Sequence, residues 1–429
     1  MSSRTDSRNK RVTRRDFLRG SAAMAGAAVA LPAIVPSSVF GANPPSERIA
    51  IGCVGLGGQG TSNMKGFRGN PGAQIVALCD VDASHVERAR GIAELDKGAC
   101  YTDFRPLLAR NDIDAVSVAT PDHWHVPVSI AAVRAGMDVF CEKPLTLTIL
   151  EGRALADEVT RYKRVFQTGS QQRSADNFRK ACELVRNGYI GDVKKVQVNI
   201  NGNNRKCEPT WEPMPVPPGL DYDMWLGPAP WEPYHEQRCH YQFRFLLEYS
   251  GGQVTNWGAH HLDIAQWGLG MDDSGPVEVI GRGEFPKTGL FTTATKVDFE
   301  MTYANGVHLT CQTGGGHTRF EGTKGWVDVK RGGLKTEPES LTTHVIGANE
   351  IHLYDSNDHK GNFLECVKTR TNPICTAEIG HRTSTLCHLG NIAMLLKRPL
   401  KWDPDKEEFI GDRVANAMRS RPRRAPWTL

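Results

Sequence analysis

Residues 49–60 read IAIGCVGLGGQG, and this stretch decides how the fold begins. The apolar run Ile49–Val54 is typical of a buried strand. It leads directly into Gly55-Leu56-Gly57-Gly58-Gln59-Gly60, whose glycines have the spacing G-x-G-x-x-G. In a turn from a strand to a helix, this spacing lets the backbone approach a pyrophosphate, because glycine has no side chain to block it. The stretch therefore predicts a dinucleotide-binding fold.

A carboxylate follows at the spacing that this fold requires. The next apolar run, Gln74–Cys79, predicts a second strand, and Asp80 stands at its end, twenty residues after Gly60. An acidic residue at this point accepts hydrogen bonds from the adenosine ribose and repels the 2′-phosphate of NADP. We therefore expect NAD as the cofactor, with NADP less suitable.

Strand and helix patterns alternate up to about Gly169, which indicates a parallel sheet covered by helices on both faces. Further strands of this sheet are predicted at 115–119, 138–141 and 165–168. Beyond residue 171 the strand-like segments follow each other with few helices between, which favours a mainly antiparallel sheet. Those segments are 193–200, 277–281, 295–302, 306–313 and 325–329.

The expected fold class is thus an α/β N-terminal Rossmann domain plus an α+β C-terminal domain with a large, mainly antiparallel sheet. We place the first domain at residues 43–170 and the second at residues 171–429.

Residues 1–42 have the layout of an export signal. Thr13-Arg14-Arg15-Asp16-Phe17-Leu18-Arg19 is a twin-arginine pattern, and a stretch of small apolar residues follows it. That stretch contains Pro32 and is short for a membrane-spanning helix, so no stable membrane anchor is expected. We expect export by the twin-arginine route to the periplasm or an equivalent compartment. The alternative is a basic tail before a short helix.

The composition argues against nucleic-acid binding. The formal net charge is +4, but residues 1–42 hold seven Lys and Arg against two Asp, so the rest of the chain carries −1. A near-neutral body offers no basic surface for a phosphate backbone. Eleven cysteines without a C-x-x-C pair predict neither a disulfide framework nor a zinc site, and no metal is expected.

Two polar segments follow later strands of the predicted parallel sheet. Thr120-Pro121-Asp122-His123-Trp124-His125 comes after strand 115–119, and Glu142-Lys143-Pro144 comes after strand 138–141. Ligands bind at the carboxyl ends of the strands in such sheets, so both segments are expected at the cofactor. A lysine that is partly removed from water beside a cationic ring has a lowered pKa and can relay a proton.

Together with the glycine motif, these segments resemble the glucose–fructose oxidoreductase / inositol dehydrogenase (Gfo/Idh/MocA) family. Thr120, Pro121 and His125 match its T-P-x-x-x-H segment, and Glu142, Lys143 and Pro144 match its E-K-P segment. The resemblance implies that these residues lie at the cofactor and that Lys143 also touches the substrate hydroxyl. It implies hydride transfer between NAD(P) and a secondary hydroxyl of a sugar, inositol or glycoside, in a homodimer or homotetramer.

A third segment, residues 251–263, matches the same family at Gly258, His260 and Asp263. By resemblance, His260 is the candidate for proton transfer or for binding the reacting hydroxyl, and Asp263 is a candidate for substrate binding. The family usually has an acidic residue where this chain has Asn256. An amide hydrogen-bonds a sugar hydroxyl but cannot act as a base. Lys143, His260 and Asn256 are the three candidate catalytic residues.

The segment 203–250 is too long for an ordinary connection and is rich in aromatic and polar side chains. Arg238, His240 and Arg244 stand there among tryptophans and tyrosines, a combination that suits a polyhydroxylated ligand. The alternative is a subunit interface. Arg173 follows the last strand of the first domain and is also expected to face the substrate.

Three functions stay open on the sequence. The first is an NAD-dependent dehydrogenase acting on a sugar-like small molecule. The second is a glycosidase that oxidises the sugar ring transiently with a tightly held NAD, as some members of the family do. The third is an exported, non-catalytic binder of sugar or cofactor, suggested by Asn256.

Overall fold

The structure is a computed structural model that describes residues 47–202 and 210–429, so the expected export signal at 1–42 lies outside the described residues. A six-stranded parallel sheet comes first, in the order β3-β2-β1-β4-β5-β6. Its strands are β1 Ile49–Val54, β2 Ala73–Cys79, β3 Cys100–Tyr101, β4 Ala115–Val118, β5 Asp138–Cys141 and β6 Phe166–Thr168. The strand order reverses between β1 and β4, and ligands bind at such a switch point.

Helices connect these parallel strands, as the alternating pattern predicted. They are α1 Gly58–Arg68, α2 Ala83–Ala93, α3 Phe104–Leu108, α4 Asp122–Arg134 and α5 Ile149–Tyr162. All six residues of β1 are buried, because both faces of the sheet are covered. Side-chain caps fix where two of the helices begin: Asp82 accepts from the Ser84 amide at α2, and Thr148 from the Glu151 amide at α5.

The second sheet has nine strands in the order β13-β12-β11-β7-β10-β9-β8-β14-β15. They are β7 Val193–Ile200, β8 Glu278–Gly281, β9 Asp298–Thr302, β10 His308–Thr313, β11 His317–Gly322, β12 Trp326–Lys330, β13 Gly333–Glu337, β14 Leu400–Asp403 and β15 Glu408–Phe409. Only β7 and β10 pair in parallel, so the expectation of a mainly antiparallel sheet is confirmed.

The helices of this second part are α6 Asp176–Arg186, α7 Tyr222–Leu226, α8 Gln253–Asn256, α9 Gly258–Leu269, α10 His359–Thr369, α11 Ala377–Leu396 and α12 Arg413–Ala417. In β7 the alternate residues Val196, Val198 and Ile200 are buried, and they join one apolar core with α9 and α11. Eleven of the twelve residues of α9 are buried, so this helix holds its side chains in fixed positions.

Hydrogen bonds join the second part of the chain to the carboxyl edge of the parallel sheet. The Leu145 amide donates to the Ser384 hydroxyl (3.2 Å), and the Thr168 amide donates to the Cys375 carbonyl (2.9 Å). The ten cysteines in the described part of the chain are unpaired. Across that same part, no helix has both the length and the apolar character needed to cross a bilayer.

Candidate active site

The glycine turn lies between β1 and α1, and two of its glycines are required by close backbone contacts. Gly55 has φ +85°, and a Cβ there would lie 2.6 Å from the backbone of Ala119. A Cβ on Gly60 would overlap the carbonyl oxygen of Gly55. By contrast, a Cβ on Gly58 would meet no protein atom within 4 Å. The turn is therefore tight toward the protein and open toward the crevice, where a pyrophosphate fits at the start of α1.

Asp80 ends β2 and is hydrogen-bonded to the glycine turn. Its carboxylate accepts from the backbone amides of Leu56 (2.6 Å) and Asp82 (2.9 Å) and lies 3.2 Å from His85 Nδ1. The hydrogen bond that His85 donates to the Asp80 carboxylate raises the pKa of His85 above its usual value. Each carboxylate oxygen has more than one acceptor site, so ribose hydroxyls still find acceptors on Asp80. These acceptor sites thus fit the ribose of the adenosine half of a dinucleotide.

One cavity of about 700 Å³ connects Asp80 to Lys143 past the glycine turn. These residues follow the carboxyl ends of β2 and β5, and the two strands are three strand spacings apart, or about 14 Å. The predicted residues that line this cavity are Gly55, Gly57, Gly58, Gln59, Asp80, Thr120, Pro121, His125, Glu142, Lys143, His240, Arg244, Asn256 and His260. Leu56 is fully buried behind the turn, and Gly60 lies beneath it.

Two of the sequence motifs fix each other at the carboxyl edge of the sheet. The His125 ring contacts the carbonyl oxygens of Thr120 (2.9 Å) and Pro144 (2.7 Å), so the first segment braces the second. Glu142 is buried and accepts from the side-chain amides of Gln59 (3.1 Å) and Asn63 (2.9 Å) on α1. The backbone on either side of Lys143 is thereby held in place.

Lys143 lies in the cavity wall with its ammonium group on Asn256. Nζ donates to the side-chain oxygen of Asn256 at 2.9 Å and approaches its carbonyl oxygen at 3.4 Å. Burial lowers the pKa of Lys143, while Glu142 opposes that change. An ammonium group that is partly stripped of water, with only a neutral side chain as its direct partner, releases its proton more easily than an exposed lysine does.

His260 lies on α9 in the same part of the cavity and is almost fully buried. Its Nδ1 has no hydrogen-bond partner among the described residues. Burial first, and then the charges of Lys143 and Arg331, lower the pKa of His260 well below its usual value. The imidazole is therefore neutral near pH 7, and its Nδ1 is available for a hydrogen bond with a ligand. The structure thus brings the three candidate catalytic residues together.

Arg173 and Asp263 are not in the cavity, which corrects the expectation that they bind substrate. Both are completely buried, and Arg173 Nε and Nη2 contact Asp263 at 2.8–3.0 Å. Arg173 also bonds Asp272 at 2.6 and 2.9 Å and lies over the ring of Trp267. Five hydrogen bonds within the protein occupy this guanidinium, so it anchors α9 to the turn after β6.

Two residues of the long loop are also placed differently from the expectation. Arg238 is buried beside the hydroxyl of Tyr249 and the ring of Trp211, away from the cavity. His240 lines the cavity but lies at its adenosine end, 3.5 Å from Asp82 and 5.0 Å from the His85 ring. Only Arg244 of the three loop candidates lies near Lys143, whose pKa it helps to lower. The described part of the loop, from residue 210 onward, therefore contributes side chains to both ends of the crevice, with His240 at one end and Arg244 at the other.

Sequence reasoning missed two side chains near the reacting end. Arg331 reaches the cavity from the turn between β12 and β13, and Trp257 lies between α8 and α9, three residues before His260. Trp257 stands inside the segment 251–263 but is not one of its matching positions, and Arg331 is about seventy residues away from the nearest motif. At the other end, Asp82, His85 and His240 place ligand-type atoms within 4.8 Å of one another. Asp82 and His85 are close in sequence, but His240 is far from both, so the spacing of residues in the sequence could not predict this group.

Comparison with known proteins agrees with this geometry. Residues 49–170 match the model of the oxidoreductase family, NAD-binding Rossmann fold, and residues 175–429 match the oxidoreductase family, C-terminal alpha/beta domain. The chain belongs to the Gfo/Idh/MocA family. Its N-terminal domain binds a nicotinamide dinucleotide, and the observed cradle of open glycines and Asp80 fits that cofactor.

Two curated relatives of this Gfo/Idh/MocA protein that are about one third identical to it match less than half of the chain. A glycosyl hydrolase family 109 protein of Saccharopolyspora erythraea is 32% identical over 212 residues, 44% of this chain and 45% of that protein. An inositol 2-dehydrogenase of Rubrobacter xylanophilus is 32% identical over 148 residues, 34% of this chain and 42% of that protein. The chain thus spans less than half the length of either relative.

The fold as a whole has solved counterparts. The WlbA dehydrogenase of Bordetella pertussis, solved in complex with NADH and UDP-GlcNAcA, superimposes with a TM-score of 0.64 at 16% identity. The match covers 83% of this chain and 99% of that structure. At this identity the likeness establishes a shared fold, and the chemistry has to be argued from the residues of this chain.

Proposed function

We propose that this protein is an NAD-dependent dehydrogenase that moves a hydride between the nicotinamide ring and a secondary hydroxyl carbon of a sugar, inositol or glycoside. The observation that carries the proposal is the meeting of Lys143, Asn256 and His260 at one end of a crevice whose other end holds Asp80. A single 700 Å³ cavity offers room for a nicotinamide and a small substrate beside the same ammonium group.

Three side chains have different roles at the reacting hydroxyl: one transfers its proton, one orients the substrate and one positions the lysine. Lys143, with its pKa lowered by burial, hydrogen-bonds the reacting hydroxyl and takes or returns its proton. The neutral His260 accepts a second hydrogen bond from the substrate and fixes the orientation of the carbinol carbon. Asn256 holds Nζ at 2.9 Å and contributes no charge of its own. When bound, the nicotinamide supplies the hydride acceptor or donor.

NAD is the proposed form of the cofactor, because Asp80 faces the position of the adenosine ribose. Its carboxylate is held by the Leu56 and Asp82 amides, so it cannot turn away from a ribose phosphate. A 2′-phosphate at this point would meet a fixed negative charge.

Mass spectrometry of nucleotide released from the denatured full-length protein tests this proposal. We expect NAD, and we expect the Lys143→Met variant to retain NAD while losing its reduction by substrate at least about a thousandfold. A protein that binds neither NAD nor NADP would refute the redox function. Unchanged turnover in the lysine variant would move the chemistry to other residues. An unreduced cofactor in the wild type across a sugar and polyol panel would favour the non-catalytic binder.

A glycosidase that uses NAD transiently is the second candidate, favoured by the similarity to the Saccharopolyspora erythraea protein. In that reaction a ring carbon would be oxidised, a neighbouring carbon would lose a proton as the aglycone is eliminated, water would add to the resulting double bond, and the ring carbon would be reduced again, so the cofactor ends as it began. Release of p-nitrophenol from p-nitrophenyl glycosides without net NADH would favour this candidate. Formation of one NADH per substrate would favour the dehydrogenase.

We also propose export by the twin-arginine route and assembly into a dimer or tetramer. The support for export is the Arg14-Arg15 pattern, and the support for assembly is membership of this family. Fusion of residues 1–42 to a reporter that acts only outside the cytoplasm tests the first, with Arg14→Lys/Arg15→Lys as the control. Sedimentation equilibrium of the purified protein tests the second.

A further inference from the structure

A hairpin turn from the second sheet brings a fixed arginine to the substrate end of the cavity. Strands β12 and β13 are joined by the two residues Arg331 and Gly332, and Gly332 takes the positive φ of +70° that this turn needs. The side-chain amide of Asn177 on α6 donates to the carbonyls of Lys330 (2.7 Å) and Gly333 (3.3 Å), on both sides of the turn. These two hydrogen bonds hold the turn in place, so the backbone of Arg331 is fixed.

The Arg331 side chain is itself oriented. Its Nε donates to the side-chain oxygen of Gln172 at 3.0 Å, and its guanidinium lies 4.8 Å from the ring centre of Trp257. Neither contact neutralises the positive charge. Among residues 47–202 and 210–429, no carboxylate pairs with Arg331, and its terminal nitrogens make no hydrogen bond. Those two nitrogens are the planar pair that binds the two oxygens of a carboxylate.

The charged side chains around the reacting centre also favour an anionic group on the substrate. Lys143, Arg244 and Arg331 line the cavity near His260, and their charges act on the pKa of Lys143 or His260. The two carboxylates at this end already have partners within the protein. Glu142 accepts from Gln59 and Asn63, and the buried Asp122 accepts from the Ser250 hydroxyl at 2.5 Å. The direct side-chain partner of Lys143 Nζ is the amide of Asn256, which is neutral.

We propose that the substrate is an acidic sugar, whose carboxylate binds the guanidinium of Arg331 while its reacting hydroxyl lies on Lys143 and His260. This inference rests on the proposed function and narrows its substrate class. The planar guanidinium gives a carboxylate two parallel hydrogen bonds, whereas a primary alcohol at the same carbon gains one weaker contact. Uronates and related sugar acids, in which the carboxylate is on the same ring as secondary hydroxyls, have the required chemistry.

Matched pairs of sugars test the proposal on the full-length protein loaded with NAD. Binding of D-glucuronate, D-galacturonate and D-mannuronate is measured by calorimetry beside D-glucose, D-galactose and D-mannose, and initial rates of NADH formation are measured on the same six compounds. We expect at least one acid to bind about tenfold or more tightly than its neutral partner. We also expect added salt to reduce that preference.

The variants separate Arg331 from a general effect of charge. In Arg331→Gln, the ratio of kcat/KM for the acid to kcat/KM for its neutral partner should fall to about one, chiefly because KM for the acid rises. Arg331→Lys should restore part of that preference. Arg319→Gln is the matched control. Arg319 also lies over a tryptophan, Trp326 at 4.0 Å, and bonds Glu321 outside the cavity, so its loss should leave the ratio unchanged.

The outcomes are distinct. The inference is wrong if no acid is preferred over its neutral partner, if none of the acids binds, or if the preference survives in Arg331→Gln. All three results leave NAD binding intact. Loss of NAD binding in the wild-type protein would instead overturn the proposed function on which the inference rests.

Discussion

Replacement of Arg173 by methionine distinguishes a structural arginine from a substrate-binding one. The sequence favours the second role, and the structure gives Arg173 five hydrogen bonds of 2.6–3.0 Å to Asp263 and Asp272. Methionine fills much of the same volume but supplies neither charge nor donors. Asp263 would then keep only the Thr383 hydroxyl, at 2.9 Å, as a partner for a completely buried carboxylate.

Breaking a buried ion pair by removing one partner costs about 3–5 kcal/mol, because the remaining charge is left uncompensated. We expect this loss in the free energy of unfolding of Arg173→Met at pH 7. Burial already raises the pKa of Asp263, and the Arg173 charge opposes that rise. Without Arg173 the folded pKa rises further above the unfolded value. Protonation then favours the folded state, so the penalty should shrink as the pH falls toward 4 and grow as it rises.

The assay is urea unfolding followed by tryptophan fluorescence, to which Trp267 beside Arg173 contributes. Arg179→Met is the control, since Arg179 is a partly exposed arginine with three ion pairs of 3.3–3.4 Å and should cost under about 1 kcal/mol. Adding Asp263→Leu to Arg173→Met should recover part of the loss, because the stranded carboxylate is then gone. Wild-type stability together with a raised KM in Arg173→Met would refute this reasoning and restore the substrate role.

Three further predictions concern the cavity itself. Gly60→Ala should abolish NAD binding measured by calorimetry, because the added Cβ overlaps the Gly55 carbonyl. Gly91→Ala is the control and should bind NAD normally, because its Cβ meets nothing within 4 Å. Tight binding by Gly60→Ala would contradict the role of the turn. Asp80→Asn should weaken NAD about 10–100-fold and lower the ratio of NAD to NADP affinity, because a charged hydrogen bond to the ribose is lost and the repulsion of the 2′-phosphate disappears; an unchanged ratio would show that another group selects the cofactor. Asn256→Asp places a carboxylate 2.9 Å from Nζ and should raise the pKa of Lys143. The rate of NADH formation should then rise with pH about 1–3 pH units later than in the wild type. An unmoved profile would mean that Lys143 does not carry the proton.

Local sequence was enough to predict the parallel domain and its cofactor turn. Both consist of residues close together in the chain: β1, the turn with Gly55 and Gly60, and Asp80 at the end of β2. Hydrophobic periodicity predicted β1, β5 and β7 with their observed bounds. The short strands β14 and β15 carry too few residues for any period to be recognised.

The residues at the reacting end of the site could be predicted from motifs, but their contacts could not. Lys143, Asn256 and His260 were found because each stands in a recognisable segment, although only the tertiary structure shows that Nζ bonds the Asn256 oxygen. Residue type and membership of a segment gave no signal about which partners a polar side chain has in the folded protein. Arg173 and Asp263 have the same residue types as a substrate site, and their burial against each other is what excludes them from it.

The sequence by itself determined the chemistry available to this protein: a glycine turn open to a pyrophosphate, a carboxylate for a ribose, and a lysine at the end of a strand. Those features depend on backbone spacing within single strand–turn–helix units. Tertiary structure alone decided which charges face the substrate, because that depends on long-range packing. The turn between β12 and β13 brings Arg331 to the cavity across more than 180 residues from Lys143, and the ion pair with Asp263 withdraws Arg173 from it.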